Sequence, residues 1–359
     1  MIAQIDKVYK KYTVVVLRRL ASYFLFEGRP LTTKGRFINP FVKFMIKSIF
    51  MIPKLKSPKI VYIIGTGRSG TTMLGKCLST ISKSTFLNEP KLFWNLIDDE
   101  DDLNCNYTDK CGRYRFDEKD WTSEKSKRVQ RFYSFYSLVT STNLIIDKYP
   151  EMAFRVSYLN SLLGGELYLF LIRNGFNSVF SIEGWSKKHS IVNTEQSDIE
   201  DWWGLNDSKW NAIVDELVKD HPILGKNYLS LKFDKRHKVR AAVEWVLTME
   251  QIERLQLSPQ SSKVMVVNYE LFVQNADIRK KVASFITSNN TDRYLEYCNE
   301  ALVDRCLYSD KELSLPTELC HLFNQMQIKL GYSEMATVES QIDESLNGQS
   351  QYTKISVDD

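Results

Sequence analysis

The chain has 359 residues, 43% hydrophobic and 26% charged, which suits one large domain or two small ones and excludes a disordered or fibrous chain. The net charge of +4 is unevenly placed: residues 1–60 hold 13 Lys and Arg against Asp6 and Glu27, and the remainder is net acidic, at about −7. A basic end on an acidic body points to an anionic surface, a membrane leaflet or nucleic acid.

The first elements lie in the basic end. The apolar stretch 13–26 is interrupted by Arg18 and Arg19, and the stretch 38–53 by Lys43 and Lys47. Neither approaches the ~20 uninterrupted apolar residues of a spanning helix. Both read as amphipathic helices, either lying on a membrane as a peripheral contact or packed on the main domain. Residues 60–64 (IVYII), bounded by Pro58 and Gly65, read as a buried strand. A Gly-rich turn and a helix over 72–81 follow. Residues 144–146 read as a second strand, 150–163 as a helix ending at Gly164-Gly165, and 167–172 (LYLFLI) as a third strand before a turn at Asn174-Gly175 and a helix. A long helix over 239–257 and a strand over 263–268 complete the alternation. Strands alternating with helices predict an α/β chain with a central parallel sheet flanked by helices, a P-loop-like three-layer fold.

The layout is then a basic N-terminal extension (1–57), a main domain (58–335) and a polar tail (336–359) expected to be disordered. Two segments read as insertions. Residues 98–128 open on the acidic run Asp98–Asp102. Residues 184–237 carry Trp185, Trp202, Trp203 and Trp210, which line an acceptor cleft or pin a long loop to the core. Six cysteines (Cys77, Cys105, Cys111, Cys298, Cys306, Cys320) form no C-x-x-C pair and have no His at metal-ligand spacing. They read as mostly reduced thiols of a cytoplasmic protein, with a Cys105–Cys111 bridge left open.

The most informative segment is Gly65-Thr66-Gly67-Arg68-Ser69-Gly70-Thr71-Thr72, between a strand and a helix. Glycines let the backbone approach an anion, and the helix N-terminus supplies amide donors and partial positive charge. The spacing is that of the G-x-x-x-x-G-K-[ST] loop, but Thr71 stands at the Lys position that reaches the β/γ-phosphates of a triphosphate, which argues against ATP or GTP. Arg68 supplies a positive charge inside the loop instead. About a hundred residues on, Arg173 ends a strand and Ser181 follows eight residues later on a helix, a second pair suited to a phosphate.

Together these segments resemble the PAPS-dependent sulfotransferase superfamily, in its bacterial, carbohydrate or tyrosylprotein branches, over roughly residues 58–335. Arg68 stands where many cytosolic members have Lys. The resemblance implies 3′-phosphoadenosine 5′-phosphosulfate (PAPS) as donor and no metal. Arg68, Ser69, Gly70, Thr71 and Thr72 would hold the 5′-phosphosulfate, with Gly67 beside them. Arg173 and Ser181 would hold the 3′-phosphate. Lys148 of Asp147-Lys148-Tyr149-Pro150, Tyr269 of Asn268-Tyr269-Glu270 and the closing pair Gly331-Tyr332 match further family segments. Glu89, 21 residues after Arg68, would be the general base, since no His lies in positions 1–188. A base near neutral pH would need its pKa raised by partial burial. Trp185 stands where the tyrosylprotein branch has a basic residue, and Lys311 is the nearest candidate for the loop that covers the nucleotide.

The acceptor reads as a hydroxyl or amine on a saccharide or lipid-linked sugar, with a tyrosylprotein-type acceptor as alternative and no nucleic acid as partner. Two rivals remain: a P-loop kinase with Asp147 as its metal-binding Asp, and a non-catalytic nucleotide-binding adaptor. The expected location is the cytoplasm, with the inner face of the membrane as a peripheral alternative.

Overall fold

Short β-branched and aromatic segments associate side by side when both of their faces can be buried. In this chain five do so in the computed structural model, which describes residues 2–30, 35–108, 112–193, 198–303 and 310–339. Strands β1 (Lys59–Gly65), β2 (Ser84–Asn88), β3 (Leu144–Lys148), β4 (Leu167–Ile172) and β5 (Val264–Asn268) form one parallel sheet in the order β2-β3-β1-β4-β5. Val61 of the central β1 lies opposite Ile146 on one side and Leu167 on the other.

Side chains along β1 alternate between two cores. Ile60, Tyr62 and Ile64 face one layer, which includes α2 (Asn39–Ile49), α4 (Lys91–Ile97), α5 (Ser123–Thr140), α6 (Val156–Leu163), α7 (Gly175–His189), α8 (His237–Gln256) and α9 (Thr317–Lys329). Val61 and Ile63 face the other, with α1 (Thr13–Ala21), α3 (Thr71–Leu78) and the helices Ala276–Ile286 and Asp292–Ala301. This is the expected three-layer arrangement.

Two elements were not readable in advance. β2 is the five-residue STFLN, too short and too polar at Ser84, Thr85 and Asn88 to stand out by pattern. α5 mixes Ser, Tyr and charge. The reading of 150–163 as one helix is corrected: Pro150–Phe154 is a 3-10 turn, and α6 begins at Val156. The break is at Arg155, whose guanidinium is buried, 2.7 Å from Asp101 and bonded to the Tyr114 carbonyl at 3.1 Å.

The basic N-terminus is docked on the main domain. Arg18 donates to the carbonyls of Thr140 (2.8 Å) and Ser141 (3.1 Å). Arg19 is buried and pairs with Glu27 (2.7 Å), which also accepts from the Asn88 amide at 2.7 Å. The two arginines that interrupt the apolar stretch therefore tie α1 to the end of α5 (Arg18) and to the end of β2 (Arg19 through Glu27). Among the described residues no helix is long and apolar enough to cross a membrane. Cys77, Cys298 and Cys320 are buried free thiols; Cys111, Cys306 and nearly all of the tail lie outside the described residues, and with Cys111 so does the Cys105–Cys111 pairing.

Asp147 sits inside the sheet with no exposure, accepting from the Tyr133 hydroxyl at 2.6 Å. Burial pushes its carboxyl up to about 7. Because the folded pKa lies above the unfolded value of 3.8, the folded chain holds the extra proton between those limits, and this group's support fades as pH rises through 7. Asp147→Asn is therefore expected to stabilise the protein at pH 8, by on the order of 2 kcal/mol, and much less at pH 5. Thermal melts at the two pH values check this, and equal shifts at both would refute it.

Candidate active site

A cavity of about 790 Å³ opens at the carboxyl ends of the strands, where β1 and its neighbours deliver their loops. Its size is that of a small-molecule site. After β1 the chain turns through Gly65 (φ +133°), Arg68 (φ +65°) and Gly70 (φ +97°) into α3. At Gly67 an added Cβ would meet the Trp202 ring at 2.4 Å, and at Gly70 the Tyr269 ring at 2.3 Å. Only glycine lets these rings lie on the loop backbone. The first-turn amides of α3 lack helical partners and face this end, where anions are favoured.

Gly67, Arg68, Gly70, Thr71, Thr72, Glu89, Lys148, Arg173, Ser181 and Tyr269 all line the cavity. Segments more than a hundred residues apart in sequence meet here. Arg68 Nε donates to Ser181 Oγ at 3.3 Å, and Arg173 Nη1 donates to the Arg68 carbonyl at 2.8 Å. The Arg173 guanidinium lies 5.1 Å from the centre of the Tyr269 ring. Its Nε is buried and has no partner among the described residues, a donor left for a ligand. Ser69 is placed differently: its hydroxyl, fully buried, donates to the Thr66 carbonyl at 2.6 Å and shapes the loop from beneath. Lys311 lies against the Phe180 ring, 4.8 Å from its centre, and among the described residues of that late region Ala301, Leu302 and Val303 line the cavity.

The framework behind Arg173 is built from Asn268-Tyr269-Glu270 and Gly331-Tyr332. Asn174 caps α7 through its side chain, and its amide donates to Glu270 at 3.1 Å. Tyr332 also donates to Glu270, at 2.7 Å, and accepts from Asn268 at 2.8 Å. Glu270 and Tyr332 thus join the β5 end, α9 and the α7 start into one frame.

Glu89 follows β2 in the left-handed region (φ +50°), a strained backbone for a non-glycine residue, and its amide donates to the Lys148 carbonyl at 2.7 Å. Lys148 donates to its Oε1, and Lys91 stands 3.7 Å from Oε2. Burial pushes the Glu89 carboxyl up, but Lys148 and Lys91 outweigh it and hold the group below its ordinary 4.5. The raised pKa that a base poised near neutral pH would need is not found: two ammonium groups keep Glu89 ionised. Among the described residues no His lines the cavity.

A charged floor escaped the sequence reading. Lys91 is 3.7 Å from Glu151, Lys209 is 2.7 Å from Glu244, and Glu244 accepts from the Trp202 indole at 2.8 Å. Glu200, pushed up to about 7 by burial, also lines the cavity. These residues follow no motif spacing, and charged side chains in a loop-rich segment read as solvated. The four tryptophans divide by role. Trp185 and Trp202 line the cavity in a T-shaped pair 5.4 Å apart, while Trp203 and Trp210 are fully buried and pin the segment. Part of the acidic run is turned inward too, with Asp102 accepting the amides of Asn106 (2.9 Å) and Tyr107 (2.6 Å).

Asp147 does not line the cavity, so the side chain on which the kinase reading depends is turned into the core. Among the described residues no cluster of His, Cys, Asp or Glu could hold a metal ion.

No family model and no curated protein matches the chain. Among solved structures it is similar to a sulfotransferase domain from the curacin biosynthetic pathway (12% identity, TM-score 0.40, 78% of this chain and 99% of that one). It is also similar to a sulfotransferase domain of the Synechococcus PCC 7002 olefin synthase (15%, 0.40, 76% and 96%) and to a sulfotransferase from Alicyclobacillus acidocaldarius (12%, 0.41, 77% and 95%). Overlap at this level assigns no reaction.

Proposed function

We propose that the chain is a sulfotransferase that moves a sulfuryl group from PAPS to an acceptor hydroxyl or amine. The observation that carries this is the joining of two anion sites by Arg173, which holds the loop carbonyl of Arg68 while keeping a buried donor for a ligand. The α3 N-terminus with Thr71 and Thr72 suits a 5′-phosphate, and Arg173 with Ser181 suits a 3′-phosphate. Tyr269 lies between them against both the Arg173 head and Gly70.

When bound, the donor supplies an activated sulfuryl group whose leaving group is a phosphate. The protein's part is positioning and charge. Arg68 offsets the negative charge that grows on the leaving side. Glu89 accepts the acceptor proton, and Lys148 and Lys91 keep it in the ionised form that can do so.

A saccharide is the acceptor that the remaining walls suit best. Trp185 and Trp202 offer ring faces for sugar C–H groups, and Glu200 and Asn104 offer polar partners for hydroxyls.

Calorimetry with adenosine 3′,5′-bisphosphate and with ATP, each with and without Mg²⁺, tests the donor. Tight bisphosphate binding that is indifferent to Mg²⁺ is expected. Mg²⁺-dependent ATP binding with no bisphosphate binding would overturn the proposal.

A further inference from the structure

The N-terminal helices carry apolar side chains on two faces, and the fold uses one of them. On α2, Val42, Ile46 and Ile49 are buried in the core. Phe41 and Phe44 stand outward on the same helix at 53% and 69% exposure, with Phe37 (86%) in the turn before it and Met51 (84%) just after it. On α1 Val14 and Leu17 are exposed while Val15 faces the core. An ordinary surface helix is polar on its outer side. Single exposed apolar residues need no explanation, but three phenylalanines within eight residues form a patch of the kind that marks an interaction surface.

Charge says what covers it. Between Glu27 and Glu89 the sequence has no acidic residue. Lys43 and Lys47 are exposed on α2 beside the phenylalanines, Arg36 precedes them, and Lys54 and Lys56 follow. Phenylalanines that enter the acyl boundary, with cations at headgroup level, are the composition of a helix lying in a bilayer interface.

We infer that the outward face of α2 docks the protein on an anionic lipid surface. The docking face is tied to the cavity. The Asn39 side chain at the start of α2 accepts from the Arg29 amide at 2.7 Å and donates to its carbonyl at 2.9 Å, and Arg29 and Pro30 line the cavity. If the function proposed above holds, the acceptor is then a polar head on a membrane-held tail, presented to the Arg29 side of the cavity.

The test is cosedimentation of the full chain with vesicles of phosphatidylcholine alone or with a quarter phosphatidylglycerol, without donor. Binding to the anionic vesicles is expected. It should fall at least about tenfold in Phe37→Ser/Phe41→Ser/Phe44→Ser and in Lys43→Glu/Lys47→Glu, while both variants keep wild-type bisphosphate affinity. Should the triple variant fail to fold, the lysine pair decides alone. The inference is overturned if the wild type ignores anionic vesicles or the variants bind as it does. It is equally overturned if sedimentation velocity shows a dimer that the triple variant dissolves, since the face would then belong to a second copy. Vesicle binding needs no donor, so its failure is separable from failure of the sulfotransferase reading.

Discussion

Glu89→Gln is expected to lower turnover about a thousandfold while leaving bisphosphate affinity within a few-fold of wild type. The amide keeps the shape of the side chain and loses the site that takes the acceptor proton. Because Lys148 and Lys91 hold the carboxyl below 4.5, it stays ionised as pH falls from 7 to 5. The acid limb contributed by this group should therefore lie below pH 4.5. Lys148→Met removes the closer ammonium, so the Glu89 pKa rises and the limb moves toward neutral pH. A pH–rate profile reads both variants. An unchanged rate in Glu89→Gln, or an unmoved limb in Lys148→Met, would remove Glu89 as the base.

Arg173→Ala is expected to weaken bisphosphate binding roughly 100- to 1000-fold, the loss of two hydrogen bonds to a charged group. Arg173→Lys keeps the charge but not the fork that reaches both the ligand and the Arg68 carbonyl, so it should recover only part of that loss. Calorimetry on the three forms measures it. Wild-type affinity in Arg173→Ala would place the 3′-phosphate elsewhere.

Much of this site was legible because an element built like a phosphate loop is local. Strand, glycine turn and helix follow one another in the chain, so Gly65–Thr72 and Arg173–Ser181 announce themselves by spacing. That the two meet through Arg68, Ser181 and Arg173 is what the parallel order of β1 and β4 adds. Ser69 shows the limit: a hydroxyl inside an anion loop reads as a ligand, yet here it braces the turn. The floor of Lys91, Glu151, Lys209 and Glu244 was not legible, since it gathers single charges from four elements and each alone resembles a surface residue. Similarly, Arg18 and Arg19 read as breaks in an apolar stretch because their partners, the Thr140 and Ser141 carbonyls and Glu27, lie off the local pattern. The two-sided character of α2 was visible as a dense apolar run with lysines, but which face the core takes needed the packing.

The anchoring of α1 has a consequence for biosynthesis. Arg18 binds carbonyls at residues 140 and 141, and Arg19 lies against β2. The ribosome releases α1 well before it has made either docking surface. At roughly 5–20 residues per second, α1 waits on the order of ten seconds with Val15 and Arg19 uncovered, both of which the fold buries. α1 thus cannot settle until residue 141 has followed it, and during that interval a chaperone or a nearby lipid surface can hold it.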